Sequence, residues 1–219
     1  MKQEIYSAAQ LMEYVRQLGF LPLLPSGIRG FSADEVVAPD CGYVVFPDGG
    51  WDWPLWKWKG PVVTEGNCVY GKFFDKKAGF ISLDWLPYFA NYRRGGYDFD
   101  SRWEDGLANH REKKIMDLLT DKDEDGDTVF TDKRILSTEL KKIAGFGKGK
   151  EKNYPGIVTG LQMQTYLVIT DFCRRVNKKG EEYGMPVSIM LPPEALWGYD
   201  KVTSAYSEDV SVSWQRIAD

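Results

Sequence analysis

Residues 137–167 read Ser137-Thr138-Glu139-Leu140-Lys141-Lys142-Ile143-Ala144-Gly145-Phe146-Gly147-Lys148-Gly149-Lys150-Glu151-Lys152-Asn153-Tyr154-Pro155-Gly156-Ile157-Val158-Thr159-Gly160-Leu161-Gln162-Met163-Gln164-Thr165-Tyr166-Leu167. Ser137 caps a short helix whose apolar positions Leu140, Ile143 and Ala144 stop at Gly145, a usual helix terminator. A loop rich in glycine and lysine follows. Pro155 sits where proline is tolerated, in the first turn of a second helix running to about Leu167. Downstream, Val168 to Val176 and Tyr183 to Leu191 are β-rich and joined by Asn177-Lys178-Lys179-Gly180-Glu181-Glu182. Helix, turn, helix and then a hairpin with a basic tip is the order of a winged helix, which this reading extends over Lys133–Leu191.

The charge distribution supports that division. Residues 133–186 carry 11 basic and 5 acidic side chains, a net of +6. Residues 1–132 carry 15 and 22, and residues 187–219 carry 2 and 5, so the whole chain is at −4. Only the winged-helix stretch has the sign that a phosphate backbone requires. A solvated lysine-rich surface is the competing reading. Three cysteines, Cys41, Cys68 and Cys173, stand far apart without a C-x-x-C spacing, which indicates neither a zinc site nor a disulfide framework. No run approaches 18 apolar residues and no secretory signal core opens the chain, so no membrane partner and a cytoplasmic location are expected.

Upstream, Ser7-Ala8-Ala9-Gln10 is a capping-box pattern ahead of Leu11, Met12, Val15 and Leu18, spaced for one helix face ending at Gly19. Ser32 opens about one further turn before Pro39. Tyr43–Phe46 reads as a short strand broken by Pro47–Gly50. In Trp51-Asp52-Trp53-Pro54-Leu55-Trp56-Lys57-Trp58-Lys59-Gly60 the tryptophans alternate with polar residues, as in a strand with one buried face. That face could stack on a sugar or a base, but it reads first as a core wall. Val69–Phe74 and Ala78–Ser82 flank Asp75-Lys76-Lys77 as a β-hairpin, and Ser82 is placed to cap the helix carrying Trp85, Leu86 and Phe89. The expected fold class is α+β, with an aromatic-rich subdomain over 1–106 and a winged helix over 107–200 packed on it. Residues 201–219 read as a C-terminal tail.

The blocks Trp56-Lys57-Trp58-Lys59-Gly60, Tyr70-Gly71-Lys72-Phe73-Phe74, Lys77-Ala78-Gly79-Phe80-Ile81-Ser82, Phe89-Ala90-Asn91-Tyr92-Arg93-Arg94 and Leu161-Gln162-Met163-Gln164-Thr165-Tyr166 resemble those of bacterial proteins described as AlkZ-related. The resemblance spans about residues 10–200. It implies kinship with the winged-helix DNA glycosylases that unhook interstrand crosslinks, and with it a winged-helix fold and DNA as a partner.

Those glycosylases use a glutamine–aliphatic–glutamine motif, which Gln162-Met163-Gln164 matches in letters, although it lies early in them and late here. With Ile157, Leu161 and Val168 taken as the buried helix face, Gln164 falls on it. Thr159, Gln162, Met163 and Tyr166 then form the outward face. The two glutamines would not meet one base, and Gln164 reads as a buried amide with partners. Between Arg93 and Asp105, Asp98 and Asp100 could supply a general acid or base and the arginines an anion clamp. A buried ion-pair network explains the same residues. His110, the sole histidine, reads as a surface residue.

The leading expectation is therefore a nucleic-acid-binding protein, with Lys148, Lys150, Lys152, Lys178 and Lys179 on phosphates and Thr159, Gln162, Met163 and Tyr166 presented to the bases. A DNA glycosylase using Gln162, Gln164, Asp98 or Asp100 on a flipped-out base is the second. A winged helix that binds a protein partner is the third. No cofactor and no metal are expected. Asp121-Lys122-Asp123-Glu124-Asp125-Gly126 matches the first half of an EF-hand loop, but position twelve is Asp132 rather than the glutamate that gives two oxygens. Calorimetry at neutral pH should accordingly detect no calcium binding in the micromolar range; a saturable one-to-one heat would show that these residues close around the ion.

Overall fold

The computed structural model describes residues 4–42, 44–45, 51–66 and 68–219, with Val44, Val45, Trp51 and Asp52 described by their backbone. It is a mixed α+β structure, and its chain divides into two compact units, Met1–Trp85 and Leu86–Asp219. The division falls ahead of the boundary expected near 106.

In the first unit, helix α1 (Ala8–Leu18) starts where the Ser7 hydroxyl accepts from the Gln10 amide. It ends at Gly19, whose φ of 86° is open to glycine. A Cβ at Gly19 would stand 2.6 Å from the Trp85 indole nitrogen, so the position needs glycine on both counts. Strand β1 (Phe20–Pro22), helix α2 (Ala33–Val36), strands β2 (Val44–Val45) and β3 (Trp51–Asp52), helix α3 (Pro54–Glu65) and strands β4 (Cys68–Phe74) and β5 (Lys77–Ser82) follow. β5 lies between β1 and β4, antiparallel to both. Asp75 and Lys76 form the two-residue turn of the β4–β5 hairpin, both at positive φ. Tyr70, Phe73, Phe80 and Ile81 from these strands are buried.

The tryptophan run is only partly a strand. It is extended at Trp51–Asp52, paired with Val44–Val45, and becomes helical at Pro54. The rest of the expected strand over 43–46, the break at 47–50 and the Trp51 side chain lie outside the described residues. Proline at the helix start has the right φ and lacks an amide that would go unbonded there anyway. The buried positions of α3 are Pro54, Leu55, Lys59, Val62 and Val63, and from Leu55 on the spacing is helical. Trp56 is 39% exposed, and Trp53 and Trp58 are half-buried, so none of the tryptophan side chains described in the run is a buried core residue. Instead the Lys59 ammonium stands 3.2 Å from the centre of the Trp56 ring, a cation–π contact.

The second unit runs α4 (Leu86–Arg94), α5 (Phe99–Glu104), α6 (His110–Leu119), β6 (Thr120–Lys122), β7 (Thr128–Phe130), α7 (Ser137–Ile143), α8 (Tyr154–Met163), β8 (Val168–Val176), β9 (Glu182–Leu191), α9 (Glu194–Trp197), α10 (Tyr199–Val202) and α11 (Val210–Ala218). Asn109 and Glu112 close a full capping box on α6. The acidic segment at 121–127 runs from the end of β6 through the turn of the β6–β7 hairpin at 123–127, and Lys133 and Thr131 hold the Asp121 carboxylate. Leu136, just before α7, bridges antiparallel to Ile189 of β9. Ser82 does not cap α4, which begins four residues later, and Ser137 is the first residue of α7 with no side-chain cap. Ile115, Leu119, Leu140, Leu161, Leu167, Met190 and Leu191 share one core, each contributing roughly 1.5–3 kcal/mol by burial.

The segment after residue 200 is helical rather than a tail. Asn91 of α4 donates to the Ser213 hydroxyl of α11 at 2.9 Å and to the Glu208 carbonyl at 3.2 Å, and Tyr92 stacks on Trp214. This packing is why α4 belongs with the C-terminal half of the chain.

The burial pattern of α3 puts its stability on Leu55 rather than on the tryptophans. Leu55→Ala should cost about 2–5 kcal/mol, as a fully buried leucine does. Trp56→Ala should cost less, about 1–2 kcal/mol, the scale of a cation–π contact whose ring is partly exposed and whose cation is buried. Urea unfolding midpoints of the two variants give the comparison.

Candidate nucleic-acid interface

Two basic elements lie before and after helix α8 along the chain. The first is the loop from α7 into α8. Gly145, at φ 79°, ends α7 in the left-handed conformation. The amide of Lys150 donates to the Gly147 carbonyl, and that of Gly147 to the Glu151 carbonyl, each at 3.1 Å. This tight turn exposes Lys148 and Lys150, with Lys152 exposed just after it. Glu151 is anchored from α6: its carboxylate accepts from Arg111 at 2.9 Å and contacts His110 at 3.1 Å, with Lys114 at 3.5 Å. Hydrogen bonding to His110 and Arg111 holds the Glu151 carboxyl below its ordinary pKa. His110 is exposed, as expected, but it has this partner.

The second element is the tip of the β8–β9 hairpin. The Asn177 side chain accepts from the amides of Lys179 and Glu181, at 2.8 and 3.1 Å, and donates to the Glu181 carboxylate. An asparagine bonding backbone two residues on is the mechanism of an Asx turn. Gly180 supplies the positive φ of 84°. Lys178 and Lys179 are exposed there, as are Arg174 and Arg175 below them, and Arg175 covers the Tyr183 ring at 5.0 Å.

The helix between these elements does not present the face expected of it. Thr159 is 8% exposed, and Gln162 and Tyr166 are each 2% exposed. The buried positions are Tyr154, Val158, Thr159, Leu161 and Gln162. The outer edge is Pro155 and Gly156, with Ile157, Gly160, Met163 and Gln164 half-buried. Two causes account for the correction. The stripe is phased on Val158 rather than Ile157, which turns the helix by about 100°. The helix also ends at Met163, so Tyr166 and Val168 obey no helical angle at all. Thr165 takes φ 62°, and the Tyr166 amide returns to the Leu161 carbonyl at 2.9 Å.

Gln162 therefore points inward, its amide donating to the Val158 carbonyl at 3.1 Å and lying 3.6 Å from the Met190 sulfur. Gln164 donates to the Gly160 carbonyl at 3.2 Å. The glutamine pair is not brought together over a common space.

Asp98 and Asp100 are brought together. Both line a cavity of about 560 Å³ with Phe99, Lys122, Phe130 and Tyr199. Asp98 accepts from the Tyr199 hydroxyl at 2.8 Å, while Asp100 accepts from Lys122 at 2.7 Å and from the Thr128 hydroxyl. Burial works against the Asp100 carboxylate, but these two donors outweigh it and lower its pKa.

The arginines at 93 and 94 support the packing. Arg94 is buried at the end of α4 and pairs with the buried Glu194. It also donates to the Thr165 hydroxyl at 3.2 Å, the Thr165 carbonyl at 2.7 Å and the Tyr206 hydroxyl at 3.2 Å. Burial disfavours its charge, and Glu194 more than compensates, so its pKa is raised. Arg93 donates to the Met163 carbonyl at 3.3 Å, at the C-terminus of α8. No local pattern marks Glu194 as a partner one hundred residues away. Arginines before Gly95-Gly96 are the only hint, and they suggest a cap rather than a buried pair.

The model of the family described as AlkZ related matches residues 5–219. This chain belongs to the AlkZ-related family. No curated protein and no solved structure matches it. Among the described residues of this AlkZ-related chain, no group of histidine, cysteine, aspartate and glutamate is arranged to hold a metal ion, and no helix is long and apolar enough to cross a membrane.

Two outcomes follow from the ionic contacts. Glu194→Ala leaves Arg94 buried without a counter-charge and should destabilise the protein by about 3–5 kcal/mol in urea unfolding. Because Asp100 has a lowered pKa, its contribution is present above the unfolded value near 3.9 and disappears as the pH falls through the folded one. Asp100→Asn should flatten that part of the acid limb when midpoints are followed from about pH 5 to pH 3.

Proposed function

We propose that residues 107–200 form a winged helix that binds DNA chiefly through its phosphates, in a repair-associated or regulatory role. The order α6, the Leu136 bridge to Ile189, α7, α8 and the β8–β9 hairpin supports the winged-helix reading. Family membership accords with a DNA-related role. The observation that carries the proposal is where the positive charge falls along this order of elements: exposed lysines sit on the loop entering α8 and on the tip of the hairpin that follows it.

Lys148, Lys150, Lys152, Lys178 and Lys179 take the phosphate contacts in this reading. Base reading is confined to the outer edge of α8. Thr159, Gln162 and Tyr166 are buried, and Gly156 and Gly160 have no side chain to offer, so Met163 and Gln164 remain. Phosphate contacts position a protein without reading sequence, and a helix edge so poor in donors gives weak discrimination between sequences.

The glycosylase reading finds its support in the Asp98–Asp100 cavity, which falls within the range of small-molecule sites and has aromatic walls beside its carboxylates. Release of a modified base from alkylated duplex, abolished in Asp98→Asn, is its test.

Fluorescence anisotropy across salt concentrations tests the main proposal. Wild-type protein should bind unrelated duplexes with similar affinity. Lys178→Ala with Lys179→Ala should weaken all of them alike and lower the slope of log K against log salt by about 0.9 for each phosphate that is no longer neutralised. No binding to plain or alkylated duplex at low salt would leave the hairpin and loop as a protein-binding surface.

A further inference from the structure

The cavity of about 560 Å³ is walled by α5, the C-terminal half of α6, the β6–β7 hairpin and Tyr199 of α10, all in the second unit. Part of its lining is core: Phe99 and Met116 are buried in the hydrophobic cluster of this unit. Two further rings stay partly open. Phe130 is half-buried, and Tyr199 is 44% exposed although the Asp98 carboxylate fixes its hydroxyl. Desolvation and that carboxylate push the Tyr199 pKa up to about 12, so it remains a neutral ring and a donor. Among the described residues no lysine or arginine stands over either ring.

The charge around this space is one-sided. Asp98, Asp100, Glu104, Asp117 and Asp127 line it against a single cation, Lys122. Lys122 is held by Asp100, and Asp117 is paired with Lys113 on its own helix. Among the described residues, Asp98, Glu104 and Asp127 are in no ion pair. An anionic ligand would meet these carboxylates in a partly desolvated space, where like charges repel strongly. The acidic groups are spread along the walls, and among the described residues none converge as a metal site requires. A compact ion would find too few oxygens together. An extended organic cation suits the space better, because it meets separated carboxylates while its frame lies on the rings.

We propose that this cavity binds a small organic cation, an amine or amidinium with a flat apolar body, neutralised among Asp98, Glu104 and Asp127 and laid against Phe130 and Tyr199. The inference goes beyond the DNA reading and does not need it. A base carried in on a strand brings phosphates to the same carboxylates, a repulsion that a free cation does not meet.

The full chain, labelled with nitrogen-15, is titrated at constant ionic strength with benzamidine, benzamide and benzoate, one flat ring made cationic, neutral and anionic in turn. Phenethylamine supplies an ammonium on the same ring. Benzamidine, phenethylamine or both should shift the amides of Phe99, Gly126, Thr128 and Tyr199 saturably. Benzamide should bind about ten-fold more weakly or worse, and benzoate not at all. Asp98→Asn with Asp127→Asn keeps the shape of both side chains and leaves an acceptor for the Tyr199 hydroxyl. It should weaken the cations about ten-fold and leave benzamide as in wild type. Phe130→Leu should weaken benzamidine and benzamide alike. Saturable shifts with neither cation overturn the inference, as do cations that bind the asparagine variant with wild-type affinity. Benzamide binding as tightly as benzamidine overturns it too, but leaves the cavity to an uncharged base and so spares the glycosylase reading.

Discussion

The second unit depends on the Arg94 guanidinium. It lies at the end of α4, pairs with Glu194 of α9, and donates to both oxygens of Thr165, the residue that turns the chain out of α8. Its face lies 4.6 Å from the centre of the Tyr166 ring, and the Tyr166 hydroxyl in turn donates to the Tyr97 carbonyl. One planar cation thus ties together segments far apart in sequence. A guanidinium suits this work because its donors are fixed in a fork, whereas an ammonium would meet the same acceptors as a point charge. Its burial is tolerable only because its charge and donors are answered. Thr165 adopts a left-handed conformation unusual for a β-branched residue, and the contacts from Arg94 are what hold it there.

That clamp sets what α8 can offer. With Arg93 on the Met163 carbonyl and Arg94 on Thr165, the C-terminal end of the helix is pinned, and Thr159 and Gln162 are turned into the core. Its N-terminal end is the opposite, entered through a lysine-bearing loop and left without a side-chain cap. The helix is therefore closed at one end and electrostatically open at the other.

The order of elements is legible in the sequence because it rests on local signals: the Ser7 cap, Gly19, the Asp75–Lys76 turn, Pro155, and the strand runs after Leu167. Where the sequence misleads, a long-range interaction or a neighbouring residue decides the outcome. Alternating tryptophans look like a strand, but Pro54 starts a helix and only the first part of the run stays extended. The face of α8 reads one residue out of phase because glycines at 156 and 160 leave little apolar pattern to define it. Tyr166 reads as helical because Thr165 carries no usual terminator signal; the left-handed turn there is imposed by Arg94. The lysines of the loop and hairpin are visible from charge alone. The Glu194 partner is not, since it is a property of packing.

The outer half of the β8–β9 ribbon is exposed on both faces: Val176, Tyr183 and Met185 are all open to solvent. No core lies beneath it, and its shape comes from a backbone ladder interrupted by irregular register and from the Asn177 turn. Segments with few buried apolar contacts open at small free-energy cost. Whatever the tip grasps must therefore settle part of its conformational entropy on contact, so its lysines yield less net affinity than their charge suggests. In exchange the ribbon can bend to follow surfaces of different curvature, which a stiff wing could not do.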